Sequence, residues 1–436
     1  MSRPDASLDH VTPYDRLVMT DVMVEHMLVS GEHRNDLIDY FGAEEYADLV
    51  RLAKRAHQTP LAADAIRVFI VPGIMGSQLG MFRQAPLPND VLWLDPIDIS
   101  HGRLAALRIE DESPIVTFGV VLYSYLRLKL QLRAAGYSPV FHEYDWRLGI
   151  DGLGSAFAER VRKEPAQRVM IVAHSMGGLV ARAAIKMLGR ERVERVVLLG
   201  TPNGGSFAPV LALRGVYAVV RKIARLDMQR TAEWLASEVF NTFPSLYHML
   251  PPPTGELDFF DAAHWPVSGP RPVPELLQQA RAIPEQLAPA DERFVVVVGV
   301  NQETVTGVAK RGKDFVYTIT RRGDGTVPAD LAELSGARTY YVKVAHSDLT
   351  RDSSIAAAIV DLLRKGVTRK LEAEWRYTGR AEARISDTQL RKTHTGKVDW
   401  ASLEPEERRT FLQTLNEPPK LQLRVPGNSP RKRATR

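Results

Sequence analysis

The chain has no cysteine in its 436 residues, which excludes disulfides, thiolate nucleophiles and cysteine-based zinc or iron–sulfur sites. The same absence favours a cytoplasmic address. Long apolar runs are also missing, since none reaches the roughly 18 residues that a bilayer-spanning helix needs. The opening stretch MSRPDASLDHVTPYDRL has no apolar core behind a basic start and does not read as a secretory signal. Excess charge of one sign is confined to one end. The net charge is +5, but residues 366–436 carry 16 Lys/Arg against 9 Asp/Glu, so the remainder is slightly acidic. A basic terminus is not a basic binding surface, and no nucleic-acid partner is expected. Otherwise the composition, 44% hydrophobic and 25% charged, is that of an ordinary globular chain.

What is present divides the chain in three. Residues 1–64 read as an N-terminal helical extension. Leu17, Val18, Val22, Met23, Met27 and Leu28 recur at helical spacing, and a second helix is expected over 43–56. Packing against the main body is favoured over a role as an arm for a partner. Residues 65–365 then alternate short apolar runs (67–71, 139–144, 168–173, 195–200, 293–300, 338–344) with helical patterns near 120–135, 155–163, 177–188 and 353–365. Continuous apolar runs fit strands buried on both faces, and their alternation with helices implies a mainly parallel sheet flanked by helices. The alternation breaks over about 206–291, too long for a plain connection, which reads as a lid or cap insertion. Within it, the stretch 211–226 mixes Lys/Arg with apolar residues. It fits either a pocket-covering helix or a peripheral membrane contact. Residues 366–436 read as a polar basic tail with a disordered end, NSPRKRATR.

Three residues stand where acyl-transfer chemistry needs them. RVMIVAHSMGG (168–178) runs from a strand through Ser175 into a helix, the context of a nucleophile elbow. Such a turn needs small residues two positions either side, which Ala173 and Gly177 supply. It also places the amide of Met176 at a helix N-terminus, ready to hold an oxyanion. A serine hydroxyl needs a base, and the base needs an orienting carboxylate, in the chain order serine, acid, histidine. Of the 11 histidines only His346 and His394 follow the insertion. His346 follows a strand directly, whereas His394 lies in the polar tail. Asp324, between two glycines, lies 149 residues after Ser175 and 22 before His346, and is preferred over Asp348. The Pro-Gly turn in FIVPGIMGSQL (69–79) lets backbone amides approach a ligand, those of Ile74 or Met75 being the oxyanion candidates. His174 reads as packed in the elbow. Asp145 and Trp146, at a predicted strand end, either bind substrate or lock the sheet edge. The fold class is therefore the α/β-hydrolase fold, and no cofactor or metal is expected.

Seven segments together resemble the lecithin:cholesterol acyltransferase family, which includes phospholipid:diacylglycerol acyltransferases and related lipases. They are VPGIMGSQL (71–79), LWLDP (92–96), YDWR (144–147), AHSMGG (173–178), GTPNGGS (200–206), GDGTVP (323–328) and AHSDL (345–349), in the family's order over residues 67–365. The resemblance implies Ser175 as nucleophile, Asp324 as orienting acid, His346 as base, and the insertion as a lid over a lipid acyl site. It implies a lipid or other ester as partner. No protein partner is identifiable. Well-known members are secreted or membrane-anchored with lid disulfides, which this chain lacks, and the two termini fall outside the resemblance. A catalytically silent binding protein on the same fold is the alternative.

Overall fold

A computed structural model describes residues 20–82, 90–110, 114–253, 255–417 and 423. In chain order its strands begin with β1 (Arg67–Val71), β2 (Ser77–Met81), β3 (Asp90–Trp93), β4 (Val116–Val120), β5 (Ser138–Phe141) and β6 (Val169–His174). They continue with β7 (Val193–Leu199), β8 (Phe294–Gly299), β9 (Thr304–Arg311), β10 (Asp314–Thr320), β11 (Arg338–Val342) and β12 (Ala383–Ser386). Six of them form the central sheet in the order β11-β8-β7-β6-β1-β5, and every neighbouring pair is parallel. Two antiparallel three-stranded sheets, β3-β2-β4 and β12-β10-β9, flank it.

The apolar runs are explained by burial on both sheet faces. Successive strand residues point to opposite faces. On one face Phe69, Val71, Ile171, Ala173, Val196, Leu198, Phe294 and Val296 meet the helices Ile150–Lys163 and Met176–Met187 and the insertion. On the other, Val68, Ile70, Met170, Val172, Val197, Leu199, Val295 and Val297 meet Leu122–Ala134, Ser353–Lys365 and the N-terminal helices. Each fully buried aliphatic side chain stabilises the fold by about 1.5–3 kcal/mol relative to exposure. Because all six strands are parallel, their C-terminal ends share one edge, where loops converge.

The N-terminal helices Asp21–Ser30, Arg34–Phe41 and Ala43–Gln58 pack on the second face through Val24, Leu28, Leu37, Phe41, Leu49 and Ala53. Arg127 pairs with Glu45 at 2.5 Å, and Lys129 with Glu25 at 2.5 Å. The buried stripe of the first helix differs from the expected one. Val24 and Leu28 are inside, whereas Val22 and Met23 are exposed. Leu17 and Val18 lie outside the described residues.

The insertion between β7 and β8 folds into short helices, among them Ala208–Leu213 and Ala218–Leu226, with a largely apolar interior. The helix Ala218–Leu226 is not laid open for a membrane surface. Its Arg221 and Lys222 are buried and donate to backbone carbonyls of the C-terminal segment, Arg221 to Arg391 O (2.5 Å) and Thr393 O (2.8 Å), Lys222 to Glu417 O (3.0 Å). Arg225 donates to Gly396 O at 2.8 Å. Residues 383–413, expected as part of a tail, instead pair as β12 against β10 and form the helix Pro405–Gln413. The expected disordered end, 428–436, lies outside the described residues. Among the described residues no helix is long and apolar enough to cross a membrane.

Candidate active site

Three loops at the C-terminal edge of the sheet converge on one point. β6 ends at His174, and Ser175 turns the chain into the helix Met176–Met187 with φ 53° and ψ −129°. This left-handed backbone is uncommon for a non-glycine residue. The turn is held by Ser175 N–H donating to Leu199 O (2.8 Å) and Gly178 N–H donating to Ser175 O (2.9 Å). Gly177 is required because a Cβ there would collide with the carbonyl oxygens of Val71 and Pro72, where the helix passes β1's end.

The structure brings Ser175, His346 and Asp324 together. Ser175 Oγ lies 2.9 Å from His346 Nε2, and His346 Nδ1 lies 2.6 Å from Asp324 Oδ2. A carboxylate oxygen can only accept, so Nδ1 carries the proton and Nε2 is left to accept from the serine hydroxyl. Asp324 is itself fixed. Its Oδ1 accepts from the backbone N–H of Thr326 (2.9 Å) and Val327 (2.7 Å), and its carbonyl accepts the His346 N–H (2.8 Å). All three residues are buried.

The amide loop stands beside the serine. Gly73 to Gly76 form a turn closed by Gly76 N–H donating to Gly73 O (3.1 Å), with Met75 at φ 63°. A Cβ on Gly73 would lie 2.8 Å from Ser175 Cβ, so the loop leans directly on the elbow. Ile74 and Met75 sit at the turn's centre and line the same cavity as Ser175 and His346. The Met176 N–H, first in its helix, has no intrahelical acceptor. The amides of Ile74, Met75 and Met176 thus belong to the two segments that adjoin Ser175.

The cavity measures about 250 Å³. Its walls are mostly apolar, including Leu94, Val219, Leu246 and Met249, and the C-terminal segment contributes Trp400 and Leu412. Asp145 and Trp146 do not line it. Trp146 is fully buried, donating to Ser77 O at 3.0 Å and packing against Trp93 and Phe243. Asp145 accepts from Arg147 Nε (2.9 Å) and Nη2 (2.6 Å). Of their two expected roles the geometry supports the locked sheet edge, not substrate binding. Asp348 pairs loosely with Arg351 at 3.5 Å, and His394 belongs to the segment strapped on the insertion helix. Among the described residues no group of three or more His, Asp or Glu is placed to hold a metal ion.

Sequence reasoning missed Tyr125, on the apolar helix Leu122–Ala134, where nothing in the pattern sets it apart. Its hydroxyl contacts Gly73 N (2.9 Å) and His174 Nδ1 (3.1 Å). His174 is kept neutral, its pKa lowered to about 3 by burial and then by the neighbouring His346. Burial also lowers His142 to about 3 and His248 to about 4. Each is below the ordinary 6.5, so the unfolded chain takes up protons that the folded chain refuses. Stability is therefore complete above about pH 6.5 and falls as the pH drops towards 4. Urea midpoints at pH 7.5 and 5 are expected to show the loss, with a limiting slope of about 1.4 kcal/mol per pH unit for each histidine.

A family model described as the PGAP1-like alpha/beta domain matches residues 150–239, from the helix before β6 through the elbow into the insertion. With the parallel sheet and the strand–turn–helix elbow, the chain has the α/β-hydrolase fold. No curated protein matches it. Among solved structures it is similar to a Bacillus licheniformis lipase in mature form, at 13% identity and TM-score 0.36, over 70% of this chain and 95% of that one. It is also similar to a Staphylococcus hyicus lipase at 13% identity and TM-score 0.30, over 70% and 96% of the two chains. A third likeness is to the phospholipase PlaB of Legionella pneumophila, at 11% identity and TM-score 0.31, over 81% and 64%.

Proposed function

We propose that the protein is a serine-dependent acyl-transfer enzyme acting on lipid-like carboxylic esters through an acyl-enzyme on Ser175. The observation that carries this reading is the hydrogen-bonded chain Ser175–His346–Asp324 in the wall of a mostly apolar cavity. In the mechanism, Ser175 Oγ attacks the ester carbonyl carbon as its proton passes to His346 Nε2. The imidazolium so formed is stabilised by the Asp324 carboxylate, and the oxyanion is held by the amides of Met176 and of Ile74 or Met75. The C–O bond to the alcohol then breaks, and the departing oxygen takes the proton from His346. Water or a second alcohol, giving its proton to His346, then attacks the acyl carbon; the bond to Ser175 Oγ breaks, and Oγ takes that proton back from His346.

With water as acceptor the protein is a lipase- or phospholipase-type esterase. With an alcohol it is an O-acyltransferase, the reading that the resemblance to the lecithin:cholesterol acyltransferase family adds. The mostly apolar walls favour an acyl chain in either case, because transferring each methylene from water contributes about 0.8 kcal/mol. The test is a stopped-flow assay with p-nitrophenyl esters of graded chain length. A p-nitrophenol burst equal to the enzyme concentration is expected, followed by slower turnover. Adding a long-chain alcohol then separates the two acceptors, since an acyltransferase yields the new ester and an esterase the free acid. Absence of both burst and turnover on every chain length favours the silent binder.

A further inference from the structure

We propose that Tyr125 and His174 are positioning residues, forming one directed hydrogen-bond chain that locks the amide loop after β1 to the His346 loop after β11. The proposal rests on the acyl-transfer reading above and names what holds that site's geometry. Both residues border the cavity, yet every polar atom of their side chains is engaged within the protein.

The direction of the chain follows from what each atom can do. His174 Nε2 lies 3.0 Å from the His346 carbonyl oxygen, which can only accept, so Nε2 carries the proton. The opposite tautomer would set a nitrogen lone pair against that oxygen. In the neutral ring Nδ1 then has only a lone pair, and it accepts from the Tyr125 hydroxyl at 3.1 Å. The hydroxyl's one proton is thereby used, and its oxygen accepts the Gly73 N–H at 2.9 Å. Every donor in the chain has an acceptor, and every polar atom has a partner. A neutral His174 is also what burial and the neighbouring His346 enforce.

The two ends of this chain are the two parts of the site that must hold register with Ser175. At one end, the Gly73 N–H anchors the turn whose next two amides, Ile74 and Met75, are the oxyanion candidates. At the other, the backbone of His346 is clamped on both sides, its N–H by the Asp324 carbonyl at 2.8 Å and its C=O by His174. The imidazole is thus held through its main chain as well as through its Nδ1–H bond to Asp324. Misplacing a reacting group by about 1 Å costs on the order of 100-fold in rate, so a clamp of this kind acts on kcat.

Three variants test it in the full-length protein: Tyr125→Phe, His174→Leu and His174→Gln. Each is assayed for kcat and KM on a p-nitrophenyl ester and for its thermal midpoint. Tyr125→Phe and His174→Leu are expected to lower kcat by about 10- to 100-fold with KM within about threefold. His174→Gln, whose amide N–H₂ reaches the Nε2 position, is expected to recover a large part of the loss seen in His174→Leu. A purely structural role predicts instead that activity follows the thermal midpoint, with no advantage of Gln over Leu at matched stability. That result overturns the proposal, as does wild-type kcat in both disrupting variants. If the wild type gives a p-nitrophenol burst, the acyl-enzyme reading stands whatever the variants do. If it gives neither burst nor turnover, that reading falls and this one with it.

Discussion

Asp324→Asn is expected to lower kcat about 10⁴-fold while leaving the fold intact. The size of the loss follows from the bonds around the carboxylate. Oδ1 accepts two backbone N–H groups, from Thr326 and Val327, and Oδ2 accepts the His346 Nδ1–H at 2.6 Å. An asparagine amide has one acceptor and one donor end. The two backbone donors hold the acceptor end, so the NH₂ faces His346 and forces Nδ1 to accept. The imidazole proton then moves to Nε2, pointing at Ser175 Oγ, and the base has no lone pair for the serine proton. Ser175→Ala and His346→Ala are expected to lose more, about 10⁶-fold, and combining them to lose little beyond either alone because they act as a unit. The check is steady-state kinetics, with circular dichroism to establish folding. Full activity in Asp324→Asn would remove Asp324 from the mechanism.

Asp387→Ala should destabilise the protein by about 3–5 kcal/mol, the usual consequence of stranding one partner of a buried ion pair. Asp387 and Arg214 are both wholly inaccessible to solvent. Arg214 reaches Asp387 Oδ2 through Nε (3.0 Å) and Nη2 (2.8 Å), and donates to the carbonyls of Ser268 and Pro270 at 2.5 Å each. Asp387 also accepts from the Tyr317 hydroxyl at 2.7 Å. One pair thus joins the insertion, β10 and the segment after β12. Among the described residues Asp387 is the carboxylate that Arg214 pairs with, so removing it leaves the guanidinium without a countercharge at hydrogen-bond distance, and the nearby Arg391, 4.0 Å from Asp387, is itself cationic. The paired change Arg214→Met with Asp387→Leu should recover much of the loss, because an apolar pair strands no charge. Urea unfolding measures both. An unchanged midpoint in Asp387→Ala would mean that the pair does not hold these elements together.

The central sheet was legible because its strands are buried on both faces and so read as uninterrupted apolar runs, RVFIV and FVVVVG being the clearest. Each observed strand falls within a few residues of its expected place. The strands β2, β3 and β4 were not legible. They lie outside the parallel sheet and are broken by register shifts. Ser175, His346 and Asp324 could be picked out because a strand–turn–helix context, a chain order and a turn motif each narrow the choice independently. Tyr125 offered no such signal, being one aromatic on an apolar helix.

Charge misled the reading at the C-terminal segment. Residues 383–413 are polar, so periodicity gave no reason to expect them in the fold. They are held instead by Asp387 inside and by backbone carbonyls that accept from Arg221 and Arg225 of the insertion. A buried arginine and a solvated one look alike in sequence, and only the partners tell them apart. For the same reason the pattern over 211–226 fitted a membrane contact as well as a pocket-covering helix, and the buried Arg221 and Lys222 and the cavity-lining Val219 favour the second. The Tyr-Asp-Trp-Arg segment left two roles open, because a strand end on the active-site edge suits substrate contact and a locked sheet edge equally. Trp146 is spent on packing and one backbone hydrogen bond, which fits the second.

The most direct test of a base-activated Ser175 is intact-mass analysis after fluorophosphonate treatment of the wild type, Ser175→Ala and His346→Ala, with lipid or detergent present. Such probes trap a serine only where a neighbouring base activates it. A single adduct on the wild type, absent from both variants, is the expected result. An unmodified wild type, or an adduct that survives Ser175→Ala, contradicts a nucleophilic Ser175 served by His346.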